Sequence, residues 1–159
     1  MRRIVTALIT IASSLPALAG HRRAHDVPAP ASCTPQVNQN LKRLLDSDQQ
    51  SDVYNVMVCG VTTAPSHTQY GGPNGDHQIV PLRVAFPDGS TALIEIVTND
   101  ALDGKVTAPT NAQVFAYGRA FFSHTRQYAA GIDEVHCSTN SRADNGWVVV
   151  NNRKYPNSC

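Results

Sequence analysis

The stretch 79–97 narrows the fold most. Val80, Leu82, Val84 and Phe86 fall on alternate positions, and Ala92, Ile94 and Ile96 resume the alternation after Pro87-Asp88-Gly89. A period of two is the mark of a half-buried strand. Pro-Asp-Gly suits a type I turn closed by a left-handed glycine, which makes a three-residue loop with a bulge. That loop pairs Phe86 with Ser90, and so Leu82 with Ile94, Val84 with Ala92 and Val80 with Ile96. Both apolar rows then share one face, whereas a two-residue loop would split them. An antiparallel hairpin is predicted.

The start of the chain carries a different message. Met1-Arg2-Arg3 precedes an apolar run, Ile4 to Leu15, then Pro16 and the small-x-small triplet Ala17-Leu18-Ala19. This is the layout of an export signal cleaved after residue 19, and the run is too short to span a bilayer. Of 159 residues, 140 would remain, enough for one domain with a real core. Removing Arg2 and Arg3 from the 13 basic residues leaves 11 against 12 acidic ones, a formal charge of −1. Such a balance argues against a broad basic footprint for nucleic acid or anionic lipid. Residues 20–32 are polar and rich in Pro and Ala, and read as a flexible leader. Within them Arg22-Arg23 offers a site to a subtilisin-like maturation protease.

Cys33, Cys59, Cys137 and Cys159 all follow the signal, and an even count in an exported chain predicts two disulfides. The nested pairing, Cys33–Cys159 with Cys59–Cys137, is preferred. Closing a loop of ~100 residues contributes about 4.7 kcal/mol in the chain-entropy treatment. The local pairing, Cys33–Cys59 with Cys137–Cys159, stays open. No C-x-x-C spacing points to a metal, no cofactor motif is present, and no N-x-S/T sequon occurs.

Elsewhere, Thr34-Pro35 opens a helix whose apolar residues Val37, Leu41, Leu44 and Leu45 recur at helical spacing as far as Asp46. Val53, Val56 and Val58 mark a strand over 52–61. Pro109-Thr110-Asn111 is read as the start of a second helix running to about Ala130, with Val114, Phe121, Thr125 and Tyr128 inward and Gly131 as its C-terminal cap. Trp147–Val150 reads as a core strand, turned back by Asn151-Asn152 into Arg153–Tyr155. The expected fold class is therefore α+β: an antiparallel sheet with two helices packed on one face and two disulfides, the domain occupying 33–159.

Several residues are candidates for chemistry. The hairpin register sets Glu95 opposite Pro81 and diagonal to Arg83, on the face away from the aliphatic row. There it is either an acid–base and phosphate site or an ordinary cross-strand ion pair. The long loop 62–78 carries His67, Tyr70, Asp76 and His77, either as a ligand loop or as a mobile connection. On the expected second helix, Gln113, Tyr117, Ala120 and His124 share a row flanked by Arg119 and Arg126, as a recognition stripe or as a solvated back. His136 and Tyr155 have no partner identifiable in sequence.

Three of these features carry a resemblance at the level of class. The signal 1–19, the dibasic Arg22-Arg23 before a Pro-rich leader, and Cys33 and Cys159 bracketing one compact domain resemble the small secreted effector-like proteins of plant-associated fungi. The resemblance implies an extracellular protein, open to later uptake by a host cell, that binds or interferes with a host or extracellular protein. It implies no chemistry of its own, no cofactor, no metal and no membrane partner. Some such effectors look like degenerate guanyl-specific ribonucleases, in which a helix packs on an antiparallel sheet and a disulfide joins the termini. That alternative implies RNA as partner, with Glu95 as base, Arg83 as phosphate ligand and His77 as acid.

Overall fold

The computed structural model describes residues 24–71, 75–122 and 127–159. Its core is a closed five-stranded barrel, which overturns the expected open sheet covered by two helices. The strands are β1 (Val53–Thr62), β2 (His67–Gln69), β3 (His77–Ala85), β4 (Thr91–Asn99), β5 (Gln113–Phe121), β6 (Gly131–Asp133), β7 (Trp147–Val150) and β8 (Arg153–Tyr155). Around the barrel β1 pairs with β3, β3 with β4, β4 with β6, β6 with β5, and β5 returns to β1. All these pairings are antiparallel except β4 with β6. Outside the closed ring, β2 adds to β3, β7 to β5, and β8 to β7.

The β3–β4 hairpin has the predicted register: Leu82 faces Ile94, Val84 faces Ala92 and Val80 faces Ile96. Its turn is closed by Phe86 N–H to Ser90 C=O at 2.9 Å, with Gly89 at φ 83°. Asp88 accepts from both the Ser90 N–H and its hydroxyl, which holds the Asp88 carboxyl down at about 2, with the Lys42 ammonium 3.2 Å away adding to this. The β7–β8 hairpin also forms, with Asn151 and Asn152 both in the left-handed region that a type I′ turn demands.

The predicted second helix is not found among the described residues: Gln113–Phe121, at its heart, is strand β5. Read with a period of two, Val114, Ala116, Gly118 and Ala120 fill the barrel, while Phe115 and Tyr117 face outward to pack with Trp147 and Cys59. β-branched and aromatic content outweighed the i, i+3 spacing. Gly118 is required where β5 crosses β6, because a Cβ there would lie 2.2 Å from the Asp133 carbonyl oxygen. Thr125, His124 and Arg126 lie outside the described residues, as does the signal 1–19.

One predicted helix is present. A 3-10 turn, Pro35–Asn38, runs into α1 (Gln39–Asp46), and Leu41 is sealed into the barrel core. The side chain of Asn38, 1% exposed, ties this helix to the barrel. Its Nδ2 donates to the carbonyls of Cys59 and Ala85, both at 2.9 Å, and its Oδ1 accepts from Cys59 N–H at 2.8 Å. The ladder between β1 and β3 covers only Val61 and Thr62. Asn38 therefore supplies the missing rungs where those strands diverge.

The disulfides are Cys33–Cys59 and Cys137–Cys159, the local pairing and not the preferred nested one. The 3-10 turn that follows Cys33 is held to β1 by Asn38, which sets Cys33 beside Cys59. Residues 25–27, within the stretch expected to be a flexible leader, are tied to the 144–147 segment. Trp147 Nε1–H donates to the Val27 carbonyl at 2.6 Å, and Asn145 Nδ2 to Asp26 Oδ1 at 2.8 Å. A buried indole needs an acceptor, and this segment provides it. Two disulfides are compatible with a compartment outside the reducing cytosol. Among the described residues no helix is long and apolar enough to cross a membrane.

Candidate functional site

Glu95, Arg83 and His77 all project from the outer face of the β3–β4 hairpin, but they do not form one site. Arg83 and His77 are six residues apart on one strand, which at about 3.3 Å per residue separates them by roughly 20 Å. Glu95 lies opposite Pro81, half-buried. Burial raises its pKa and the nearby His67 opposes the rise. Tyr128 also feels the Glu95 charge, after burial, as a raised pKa. Arg83 is exposed and borders a separate depression with Val61, Thr63 and Asn111.

The loop 62–78 is interrupted by β2, whose His67 pairs with Ile79. Tyr70 is 84% exposed, and Asp76 is exposed with its carbonyl accepting from Asp100 N–H. His77 is set by pairing with Asn99, its Nε2 3.3 Å from the Asn99 amide nitrogen. The Gln69–His77 pairing puts Tyr70 and Asp76 just beyond the same end of the β2–β3 ladder, whereas His67 lies opposite Ile79 and near Glu95. Tyr155 is buried, with the Arg153 guanidinium 4.8 Å above its ring.

A concave site forms elsewhere, from three separate segments. β1 carries a bulge between Val53 and Val56, where Asn55 adopts φ 64°. The bulge turns Tyr54 and Asn55 toward β5 and the loop after β6. Together with Arg119, Glu134, His136 and Asn140 they line a groove of about 390 Å³. Its walls are braced. Asp144 N–H donates to Asn55 Oδ1 at 2.8 Å, Tyr117 Oη–H to Asp144 Oδ2 at 3.1 Å, and Ser138 N–H to Asn145 Oδ1 at 3.0 Å.

Arg119 dominates the floor electrostatically. It holds Asp133 in two hydrogen bonds of 2.8 and 2.6 Å and lies 3.2 Å from both Asp52 and Glu134. The Asp133 hydrogen bonds, ahead of the other carboxylates, push its pKa further up. Three carboxylates around one guanidinium leave this cluster net negative, and Glu134 and Asp144 are the carboxylates that reach the groove itself.

His136 separates this groove from a smaller pocket that also contains His77. In that pocket the Asp103 side chain is 1% exposed, and its Oδ1 lies 3.7 Å from His136 Nδ1. Burial lifts the Asp103 carboxyl to about 6, against the Asn99 N–H bond and the two histidines, which favour its charge. Sequence reading did not single out Asp103, which sits in a four-residue helix, α2 (Asp100–Asp103), too short to show a pattern. Asn55 left one trace: an asparagine inside a Val-rich strand, a residue type that tolerates positive φ where its β-branched neighbours do not. Among the described residues no three His, Cys, Asp or Glu side chains come together to hold a metal ion.

The chain matches no known family model, and no characterised protein or solved structure matches it.

Proposed function

We propose that this chain is an exported, effector-like binding protein that engages a host or extracellular partner through the Tyr54–Asn140 groove and carries out no chemistry of its own. One observation carries the reading: the strongest cation of the groove, Arg119, is already neutralised by Asp52, Asp133 and Glu134. A guanidinium so occupied braces a wall and is not held ready for a reacting anion. The export layout of residues 1–19 and the two disulfides support action outside the cytosol. The test is recovery of a partner from host or extracellular extract by the mature protein. Wild type should retain one protein that Tyr54→Ala and Thr139→Arg, both on the groove lining, lose, while Tyr70→Ala keeps it. Equal recovery by all four proteins would defeat the reading.

A guanyl-specific-ribonuclease-like activity is the second reading, and one observation favours it. Glu134, Arg119 and His136 share the groove, the same three residue types expected of Glu95, Arg83 and His77. The family's outline, a helix on an open sheet with joined termini, is not the fold seen here. The acidic floor also opposes a phosphodiester. Cleavage of total RNA that disappears in both Glu134→Gln and His136→Ala would establish this reading in place of the first.

A further inference from the structure

The pocket on the far side of His136 from the groove has the chemistry of a cation receptor. It measures about 190 Å³ and brings together His77, Val97, Leu102, Asp103, Glu134 and His136. At its base Asp103 is sealed from solvent. One carboxylate oxygen, Oδ2, accepts from Asn99 N–H at 2.6 Å. The other, Oδ1, is buried with no hydrogen-bond donor. His136 Nδ1 lies 3.7 Å away, beyond hydrogen-bond range. A buried acceptor of this kind gains from any ligand that brings donors to it.

The remaining charged groups around the pocket are already engaged. Glu134 and Asp133 face Arg119, and Asp100 accepts both contacts from Gln78 Nε2 at 3.0 and 2.9 Å. Asp103 is thus the acceptor with capacity to spare. The rim is apolar on one side, with Leu102 57% exposed and Val97 half-buried. A buried anion beneath an aliphatic rim suits a long side chain that covers apolar surface with methylenes and carries a cation at its tip.

We propose that this pocket binds an alkylammonium group, supplied by a lysine side chain of a partner protein, with the ammonium on Asp103 Oδ1 and the methylenes against Val97 and Leu102. The site stands independently of what occupies the groove, since a free lysine derivative suffices to test it. Ionised Asp103, which His77 and His136 both face, is required, so binding should weaken as the pH falls through about 6.

The experiment titrates the mature protein with Nα-acetyl-lysine amide, following the Leu102 methyl and the His77 and His136 ring resonances. At pH 7.5 these signals should shift saturably, and the norleucine counterpart should leave them in place. Affinity should fall at least tenfold at pH 5, and tenfold or more in Asp103→Asn, an isosteric change that retains an acceptor for Asn99 N–H. Should Asp103→Asn fail to fold, the wild-type pH profile decides. Failure to saturate, equal binding by norleucine, binding independent of pH, or unchanged affinity in a folded Asp103→Asn would each overturn the proposal. Glucosamine is the remaining arm: if it binds more tightly than the lysine derivative, the source of the ammonium is a sugar and the assignment to a partner lysine fails.

Discussion

Replacing Asn38 with alanine should be among the most damaging single changes outside the apolar core. The substitution removes one short side chain but strands two buried groups, the N–H and C=O of Cys59, and takes a donor from the part-buried C=O of Ala85. An unpaired buried backbone group costs about 1–3 kcal/mol, and a hydrogen bond to a partner that can rehydrate costs less. With Asn38 only 1% exposed and Cys59 fully buried, little rehydration is open to the two Cys59 groups, and a loss of about 3–5 kcal/mol follows. That is a large share of the 5–15 kcal/mol typical of a whole domain, and corresponds to a fall in Tm of roughly 10 °C or more. Urea unfolding with both disulfides intact measures the loss, and hydrogen exchange at the Cys59 amide localises it. Asn38→Asp sharpens the test. It keeps an acceptor for Cys59 N–H but turns a charge against two carbonyl oxygens, so it should be worse than alanine at pH 7 and recover on acidification. A loss below about 1 kcal/mol for Asn38→Ala, with unchanged exchange at Cys59, would refute the argument that this amide stands in for the missing rungs.

Two further outcomes follow from the same geometry. Asp103 has a folded-state pKa of about 6, above the 3.8 of an exposed aspartate, so its native form holds its proton more tightly than the unfolded chain does. Its ionisation therefore costs stability that is fully lost above pH 6 and regained as the pH falls from 6 toward 4, on the order of 2–3 kcal/mol. Asp103→Asn should flatten that part of the pH–stability curve, read from unfolding midpoints between pH 4 and 7, and an unaltered curve would contradict the assignment. Gly118→Ala drives a methyl into the Asp133 carbonyl and should cost about 3 kcal/mol, whereas Gly89→Ala, strained only by its φ of 83° with no atom near the new methyl, should cost about 1 kcal/mol. Equal losses in thermal unfolding would show that close approach is not what β5 requires of Gly118.

Local features were legible in the sequence. The β3–β4 register followed from one turn and two alternating rows, and the β7–β8 hairpin from paired asparagines. Helix 35–46 followed from its proline and leucine spacing. Closure was not legible. It depends on β6, three residues long, lying parallel to β4 through Glu95–Gly131 and Ile96–Ile132, and nothing within Gly-Ile-Asp announces a partner 36 residues earlier. The misreading of β5 followed from the same gap, because Ala116, Gly118 and Ala120 look too small for strand residues until the crowded barrel interior is known. At the site, the register around Glu95 was read correctly, yet cross-strand position says nothing of depth, and Arg83 and His77 lie at opposite ends of β3. The groove escaped notice because its residues come from a bulge, a strand and a loop that meet only after the ring has closed.

The short reach of the two disulfides bears on what the molecule could withstand. Each spans a brief stretch of chain, 26 and 22 residues, and neither crosses a seam between strands of the ring. Delivered into a thiol-rich cytoplasm, the molecule would slacken at its helical end and its tail while backbone pairing kept the cylinder shut. Its redox clasps fasten the ends of the molecule and leave the middle to the ladder.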